Sequence, residues 1–309
     1  MRFALLALPV LAACAADLGT PIELDITENE ASPALWRVHD DDSSIYLFGT
    51  IHSLPRGVPW QTDYVEAAFA DADVLVTESN AWFGDWWSTN RVIRLEGHYP
   101  EDRSLSDEIA PTTNQQLVFV SEALDLDLDA IDRMRPWLVA WHLGGTSAGD
   151  VDMRRRYGVE TILYAKAELR ELPLGRLERA SDVMKAFAAL DDERQEAMLI
   201  SALDDVVREE DPETMRKMIN LWLRGDPEGL SALRTTSSLA QHTAFHGTLI
   251  TDRNRAWLQP LIRYLADDTN AFVAVGAAHL SGSDSVAVML EELGYEVERL
   301  DPAGRAKAG

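Results

Sequence analysis

The feature that most constrains this chain is a motif that occurs twice: an apolar run that ends in glycine and is followed three residues later by histidine. Residues 45–52 read IYLFGTIH, and residues 272–279 read FVAVGAAH. Short apolar runs of this kind are typical of buried strands, and glycine lets the backbone turn sharply and approach a neighbour closely. Each motif therefore predicts a buried strand with a histidine placed just past its end.

The positions of the two motifs predict the fold class. Residues 35–38, 74–76 and 295–300 also have strand-like patterns, and the pattern from about 103 to 245 is mainly helical, with one strand candidate at 171–177. Since strands near both ends enclose a helical middle, the two ends must pair in one sheet. We expect an α/β fold with a central mixed β-sheet formed by the N- and C-terminal segments, helices around it and a large helical insertion.

Three polar residues that follow predicted strands are candidates for one site: His52, Glu78 and His279. In open α/β sheets, ligands bind at the carboxyl ends of the strands. Gly49 and Gly276 would let each histidine fold back over its strand end. Two neutral imidazoles and a carboxylate can hold a divalent metal with open positions. A single histidine is more often a structural polar contact, but two in matched contexts favour a shared site.

The charge balance narrows the choice of partner. The 309 residues include 52 acidic and 28 basic side chains, which gives a formal net charge of −24. Nucleic acid and anionic lipid repel such a chain, so we expect no nucleic-acid partner. The length and the 46% hydrophobic content are sufficient for one large or two modest cores.

The amino terminus has the layout of a secretory signal. Arg2 supplies a positive charge, and residues 3–13 are apolar but too few to cross a bilayer. Residues 11–14 (LAAC) resemble a bacterial lipobox, in which cleavage precedes a cysteine that is then lipidated; an ordinary signal cut also fits residues 13–15 (ACA). A lipid on Cys14, the only cysteine, would anchor the protein to the membrane. We therefore expect a protein of the bacterial cell envelope that is secreted across the inner membrane and faces the periplasm.

The expected domain organisation follows from these segments. We assign residues 1–13 to a signal peptide, 14–33 to a tether, 34–300 to a single domain and 301–309 to a tail. Within the domain, residues from about 103 to 245 form a helical subdomain.

In order and spacing, these motifs resemble the TraB/GumN family, which is similar to the Tiki metalloproteases and, more distantly, to ChaN-like and erythromycin-esterase-like proteins. The family pattern combines an N-terminal "lYLxGTiH", a strand-end glutamate, an Arg-Asn pair and a C-terminal "vGagHLpG". The resemblance covers roughly residues 34–300. The matching positions are residues 45–52, Glu78, Arg253, Asn254 and residues 275–282.

The resemblance implies a metal-dependent hydrolase that acts on a peptide or amide bond of a peptide or small-molecule substrate. His52, His279 and Glu78 would hold a divalent metal (Mn, Co or Zn), with Glu78 as either ligand or general base. Arg253 would bind a carboxylate or stabilise an oxyanion, and Asn254 would orient a ligand or water. For this pair, a contact at a helix start is the structural alternative. For the whole protein, the alternative is a non-catalytic envelope protein that binds haem or another metal complex.

The chain departs from the family pattern at Glu160, where the family usually has aspartate, and at Ser281, where it has proline. A tryptophan-rich stretch at residues 81–87 (AWFGDWW) is interpreted either as core packing or as an apolar lid over the site. His242 and His246 are four residues apart but lack the intervening glutamate of a zincin motif, which favours a surface pair.

Overall fold

The computed structural model describes residues 22–79, 86–144, 153–209, 212–235 and 247–300. Within these ranges, six strands form one sheet. The strands are β1 Leu35–His39, β2 Ser44–Thr50, β3 Val74–Ser79, β4 Leu174–Glu178, β5 Ala271–Gly276 and β6 Glu296–Leu300.

The sheet is mixed, and its strand order is β4-β3-β5-β2-β1-β6. The neighbours β4, β3, β5 and β2 run parallel, whereas β1 pairs antiparallel with both β2 and β6. The two histidine motifs lie on adjacent parallel strands, with Gly49 opposite Val275. The structure thus confirms the α/β class and the pairing of the two ends. The strand candidate in the mainly helical middle is β4, which forms one edge of the sheet.

Helices surround the sheet. The α-helices of the described residues are α1 Asp63–Asp71, α2 Trp86–Glu96, α3 Leu105–Glu108, α4 Pro111–Ala123, α5 Leu128–Ile131, α6 Pro136–Leu143, α7 Val159–Leu169, α8 Ala180–Ala188, α9 Asp192–Glu209, α10 Pro212–Leu223, α11 Pro227–Thr235, α12 Asp252–Ala266 and α13 Val286–Glu292. Short 3-10 helices at Arg155–Tyr157 and Ala277–Leu280 and a π-helix at Gly247–Thr251 complete the set. In the described ranges, every helix is too short or too polar to cross a membrane.

Both faces of the central strands are buried, which explains why these strands are continuously apolar rather than alternating. On one face, Phe48 and Phe272 pack with Trp222 of α10. On the other face, Leu47 and Val273 belong to a second cluster that includes Trp257 and Leu261 of α12. The strand ends between these two layers are therefore held by a dense core.

The helices from α2 to α9, with the exception of α7, form two apolar clusters of their own. One cluster includes Leu117, Val139 and Leu203, and the other includes Trp137 and Met184. Helix α7 instead packs on the sheet with Phe48 and Phe272 in its cluster. This placement brings the start of α7 next to the loop that follows β2.

Candidate functional site

Four neighbouring parallel strands end at one edge of the sheet, and each end carries a polar side chain. Glu78 lies near the end of β3, and Glu178 ends β4. His52 lies in the loop after β2, and His279 lies in the 3-10 turn after β5. Because parallel strands present their carboxyl ends on the same side, this edge collects the charged groups expected of a ligand site.

The carboxylate of Glu78 is held by two partners. The backbone N–H of Gly276 donates to Oε1 at 2.7 Å, and Nη2 of Arg253 donates to Oε2 at 2.6 Å. A Cβ atom at Gly276 would lie only 3.1 Å from Oε1, so glycine allows this close approach. Burial opposes ionisation of Glu78, but attraction to the protonated form of His279 and to Arg253, together with the Gly276 N–H, outweighs it and lowers the pKa to about 2.

Arg253, in the first turn of α12, lies between two carboxylates. Besides Glu78, it contacts Glu178, to which its Nε donates at 2.9 Å, and its guanidinium carbon lies 4.9 Å from the ring centroid of Trp257. Burial raises the pKa of Glu178, although the hydrogen bond from Arg253 opposes this shift. The guanidinium is therefore a fixed cation that neutralises part of a buried negative charge.

His279 is buried and has a defined tautomer. The side-chain nitrogen of Asn254 donates to the backbone carbonyls of Asp284 at 2.8 Å and of His279 at 3.3 Å. The amide oxygen of Asn254 therefore faces Nδ1 of His279, 2.6 Å away, and Nδ1 must be the donor. In the neutral ring, the remaining Nε2 is an acceptor, and it lies 3.2 Å from Nη1 of Arg253. Asn254, which is fully buried, thus orients His279 rather than facing the edge of the site.

His52 lies beside this cluster and has a different partner. Its Nδ1 is 2.7 Å from Oε1 of Glu160 in the first turn of α7, and the Thr50 hydroxyl donates to the same oxygen. The hydrogen bond to Glu160, opposed by partial desolvation of the ring and aided by the charges of Glu160 and Glu78, raises the pKa of His52 to about 9. Without a metal, this histidine is therefore a cation at neutral pH.

Glu78 and His279 fit the geometry of a shared metal ion. Nε2 of His279 lies 3.8 Å from Oε1 of Glu78. Two ligands of one ion, each about 2.0–2.2 Å from it, are at most about 4.4 Å apart. Both candidate histidines also use Nδ1 for an orienting partner, the arrangement usual for histidines that bind a metal through Nε2.

The third expected ligand lies farther out. In the described ranges, one set of three His, Asp or Glu side chains brings its ligand atoms within 4.8 Å of one another: His39, Glu296 and Glu298 on the edge strands β1 and β6. The ligand atoms of His52, Glu78 and His279 are spread more widely. The edge-strand set is explained by cross-strand pairing, because Arg37 already donates twice to Glu298.

Sequence reasoning missed two members of the cluster. Glu178 ends a strand just as Glu78 does, so the strand pattern at residues 171–177 carried a signal for it. Glu160 was noted only as a departure from the family pattern, and no local pattern links it to His52. Its role becomes visible only when α7 packs against the loop after β2.

Other sequence-based expectations have mixed outcomes. Trp86 and Trp87 are 59% and 78% exposed, so core packing is wrong for them. The rest of the tryptophan-rich stretch, residues 81–85, lies outside the described residues. Cys14 and the pair of His242 and His246 lie outside them as well.

Comparison with known proteins agrees with the motif pattern. The model of the TraB/PrgY/gumN family matches residues 34–299. The uncharacterized protein YbaP of Escherichia coli strain K12 is 23% identical over 252 residues, which cover 79% of this chain and 87% of the relative. The uncharacterized protein YbaP of Shigella flexneri matches with the same identity and coverage. No solved structure matches the chain.

Proposed function

The chain belongs to the TraB/PrgY/gumN family, and from this premise we propose that it is a metal-dependent hydrolase of a peptide or amide bond in the bacterial cell envelope. The observation that carries the proposal is the distance of 3.8 Å between Oε1 of Glu78 and Nε2 of His279. Asn254 selects the tautomer of His279 in which the proton is on Nδ1. A divalent ion bound there would acidify a water molecule and polarise a carbonyl group.

The electrostatics favour separate roles for the two carboxylates. A general base works best when its pKa is near the working pH. The pKa of Glu78 is about 2, so Glu78 is better suited to be a ligand than a base. Burial raises the pKa of Glu178, which makes Glu178 the better proton acceptor of the two. Arg253 holds both carboxylates in place and supplies the positive charge for a substrate carboxylate or an oxyanion.

Metal analysis of the purified protein tests the proposal. We expect the wild type to bind Mn, Co or Zn in a stoichiometric amount and the variants His52→Ala and His279→Ala to lose most of it. His98→Ala, a change at an exposed histidine away from the site, is the matched control. A wild type that binds no divalent ion, or that cleaves a peptide mixture equally well with and without a chelator, contradicts the proposal. A Soret band that appears with haem and is lost in both site variants would favour the haem-binding alternative.

The envelope location has a separate test. We propose that Cys14 carries the lipid anchor, because residues 11–14 resemble a lipobox. Mass spectrometry of the protein from the membrane fraction should find a lipidated cysteine at the new amino terminus. An unmodified Cys14 would contradict the anchor without affecting the hydrolase proposal.

A further inference from the structure

The start of helix α7 holds the loop that carries His52. The backbone N–H of Val159 donates to the carbonyl of Ile51 at 3.1 Å. A Cβ atom at Gly158 would lie 1.9 Å from the carbonyl oxygen of His52, so only glycine allows the two backbones to come this close. Two backbone hydrogen bonds between Leu54 and Arg154, of 3.3 and 3.0 Å, extend the contact on the other side of His52. The loop therefore has a rigid support even though the His52 side chain is largely exposed.

Glu160 projects from this support onto the imidazole of His52. Its Oε1 lies 2.7 Å from Nδ1 of His52, and the hydroxyl of Thr50 donates to the same oxygen. The Glu160 side chain is only 17% exposed, whereas that of His52 is 64% exposed. An ionised carboxylate accepts hydrogen bonds and donates none, so the N–H must be on Nδ1. Once the ring is neutral, the nitrogen left to bind an external ligand is Nε2.

We propose that Glu160, anchored by Thr50, is the positioning residue that fixes neutral His52 with its proton on Nδ1 and so leaves Nε2 as the nitrogen that would bind the metal ion. This inference rests on the proposed function. Both histidines would then carry the proton on Nδ1, since Asn254 selects the same tautomer in His279. Partners of this kind are orienting groups for metal-bound histidines, and their removal typically lowers metal affinity by about 10–100-fold.

Metal titration of the full chain tests the role of Glu160. We expect Glu160→Ala to weaken the binding of Zn or Mn by about 10–100-fold. Glu160→Gln should recover most of this loss, because its amide oxygen can still accept from Nδ1. Glu168→Ala changes an exposed glutamate on the same helix and should bind metal as the wild type does. If Glu160 acted only by stabilising the fold, Glu160→Ala and Glu160→Gln would differ in Tm as well as in metal affinity. Equal Tm values together with different metal affinities would therefore indicate a positioning role.

Imidazole nitrogen NMR gives a second readout that does not depend on activity. Long-range proton–nitrogen spectra at alkaline pH, where His52 is neutral, should place the proton on Nδ1 in the wild type, and Glu160→Ala should lose this preference. If the wild type binds metal and Glu160→Ala binds it equally tightly, the role of Glu160 is wrong and the proposed function stands. If the wild type binds no metal, the proposed function itself fails.

Discussion

The two Gly-x-x-His turns are alike in sequence and different in environment. The side chain of His279 is 4% exposed and lies 4.4 Å from the ring of Trp257, with the neutral amide of Asn254 on Nδ1. The side chain of His52 is 64% exposed and has the carboxylate of Glu160 on the same nitrogen. One turn is part of the core, and the other lies at the rim of the site.

The difference shows that a local motif determines the position of its histidine but not the burial or the partner of that histidine. Glycine and histidine at this spacing set the distance of the imidazole from its strand end. The helix packed behind each turn, α12 for His279 and α7 for His52, sets the burial and the charge of the partner. Removing the His279 side chain or its partners on α12 should therefore affect stability, whereas removing the side chain of His52 or Glu160 should affect mainly protonation and binding.

The largest effect is expected from Arg253→Met. The substitution keeps much of the side-chain volume but leaves Glu78 and Glu178 close together without their shared cation. Breaking a fully buried ion pair typically costs about 3–5 kcal/mol, and because these side chains are 15–20% exposed we expect a loss near the lower end of this range. Equilibrium urea unfolding at neutral pH would measure the loss in the free energy of unfolding.

Arg255→Met is the matched control, because Arg255 lies on the same helix and forms an exposed pair with Asp252. Exposed pairs contribute about 0–1 kcal/mol. If both arginine variants unfold at the same urea concentration, the ion pairs of Arg253 with Glu78 and Glu178 do not stabilise the fold.

The next effect compares the two histidines directly. His279→Ala leaves the buried amide oxygen of Asn254 without its hydrogen-bond donor and opens a cavity beside Trp257, for which we expect a cost of about 2–4 kcal/mol. His52→Ala removes a largely exposed ring and should cost less than about 1 kcal/mol. Urea unfolding of both variants provides the test, and equal losses would show that the two turns are energetically alike.

A smaller loss in the free energy of unfolding is expected from Gly158→Ala, at the start of α7. The new Cβ would overlap the carbonyl oxygen of His52 at 1.9 Å, so the start of α7 must move away from the loop. Overpacking of this kind costs about 1–3 kcal/mol. Differential scanning calorimetry would detect it as a lower Tm. Gly247→Ala, with open space around the added methyl group, should leave the Tm unchanged or slightly higher.

Much of the fold could be predicted because it depends on local patterns. Continuous apolar runs at residues 45–48 and 272–275 correspond to strands buried on both faces, and their pairing follows from chain order. The residues at strand ends, including Glu78, follow from the same pattern. Each of these predictions needs only neighbouring residues and the general rules of α/β sheets.

The partners across the site could not be predicted, because they depend on how helices pack. Glu160 meets His52 only after α7 docks on the loop after β2, and Asn254 meets His279 only through the register of α12 against the 3-10 turn. The spacing of Arg253 and Asn254 shows that they share a helix turn. It does not show that Arg253 binds two carboxylates while Asn254 binds an imidazole.

The smallest effect concerns protonation at the exposed turn. The hydrogen bond to Glu160 raises the pKa of His52 to about 9, whereas free histidine titrates near 6.5. In the metal-free protein, NMR titration of the imidazole should therefore give a midpoint near pH 9. Glu160→Gln should move this midpoint towards about 6.5, since the charge of Glu160 is removed.

The sign of the linked stability change follows from this direction. A histidine whose pKa is raised in the folded state stabilises the protein fully below its unfolded pKa of about 6.5, and the contribution is lost as the pH rises through about 9. Between these limits, the wild type should lose more unfolding free energy than Glu160→Gln does. Because the ring is largely exposed, solvent screening keeps the difference small. A wild-type midpoint near pH 6.5 would mean that Glu160 does not control His52, and the two turns would then differ in burial alone.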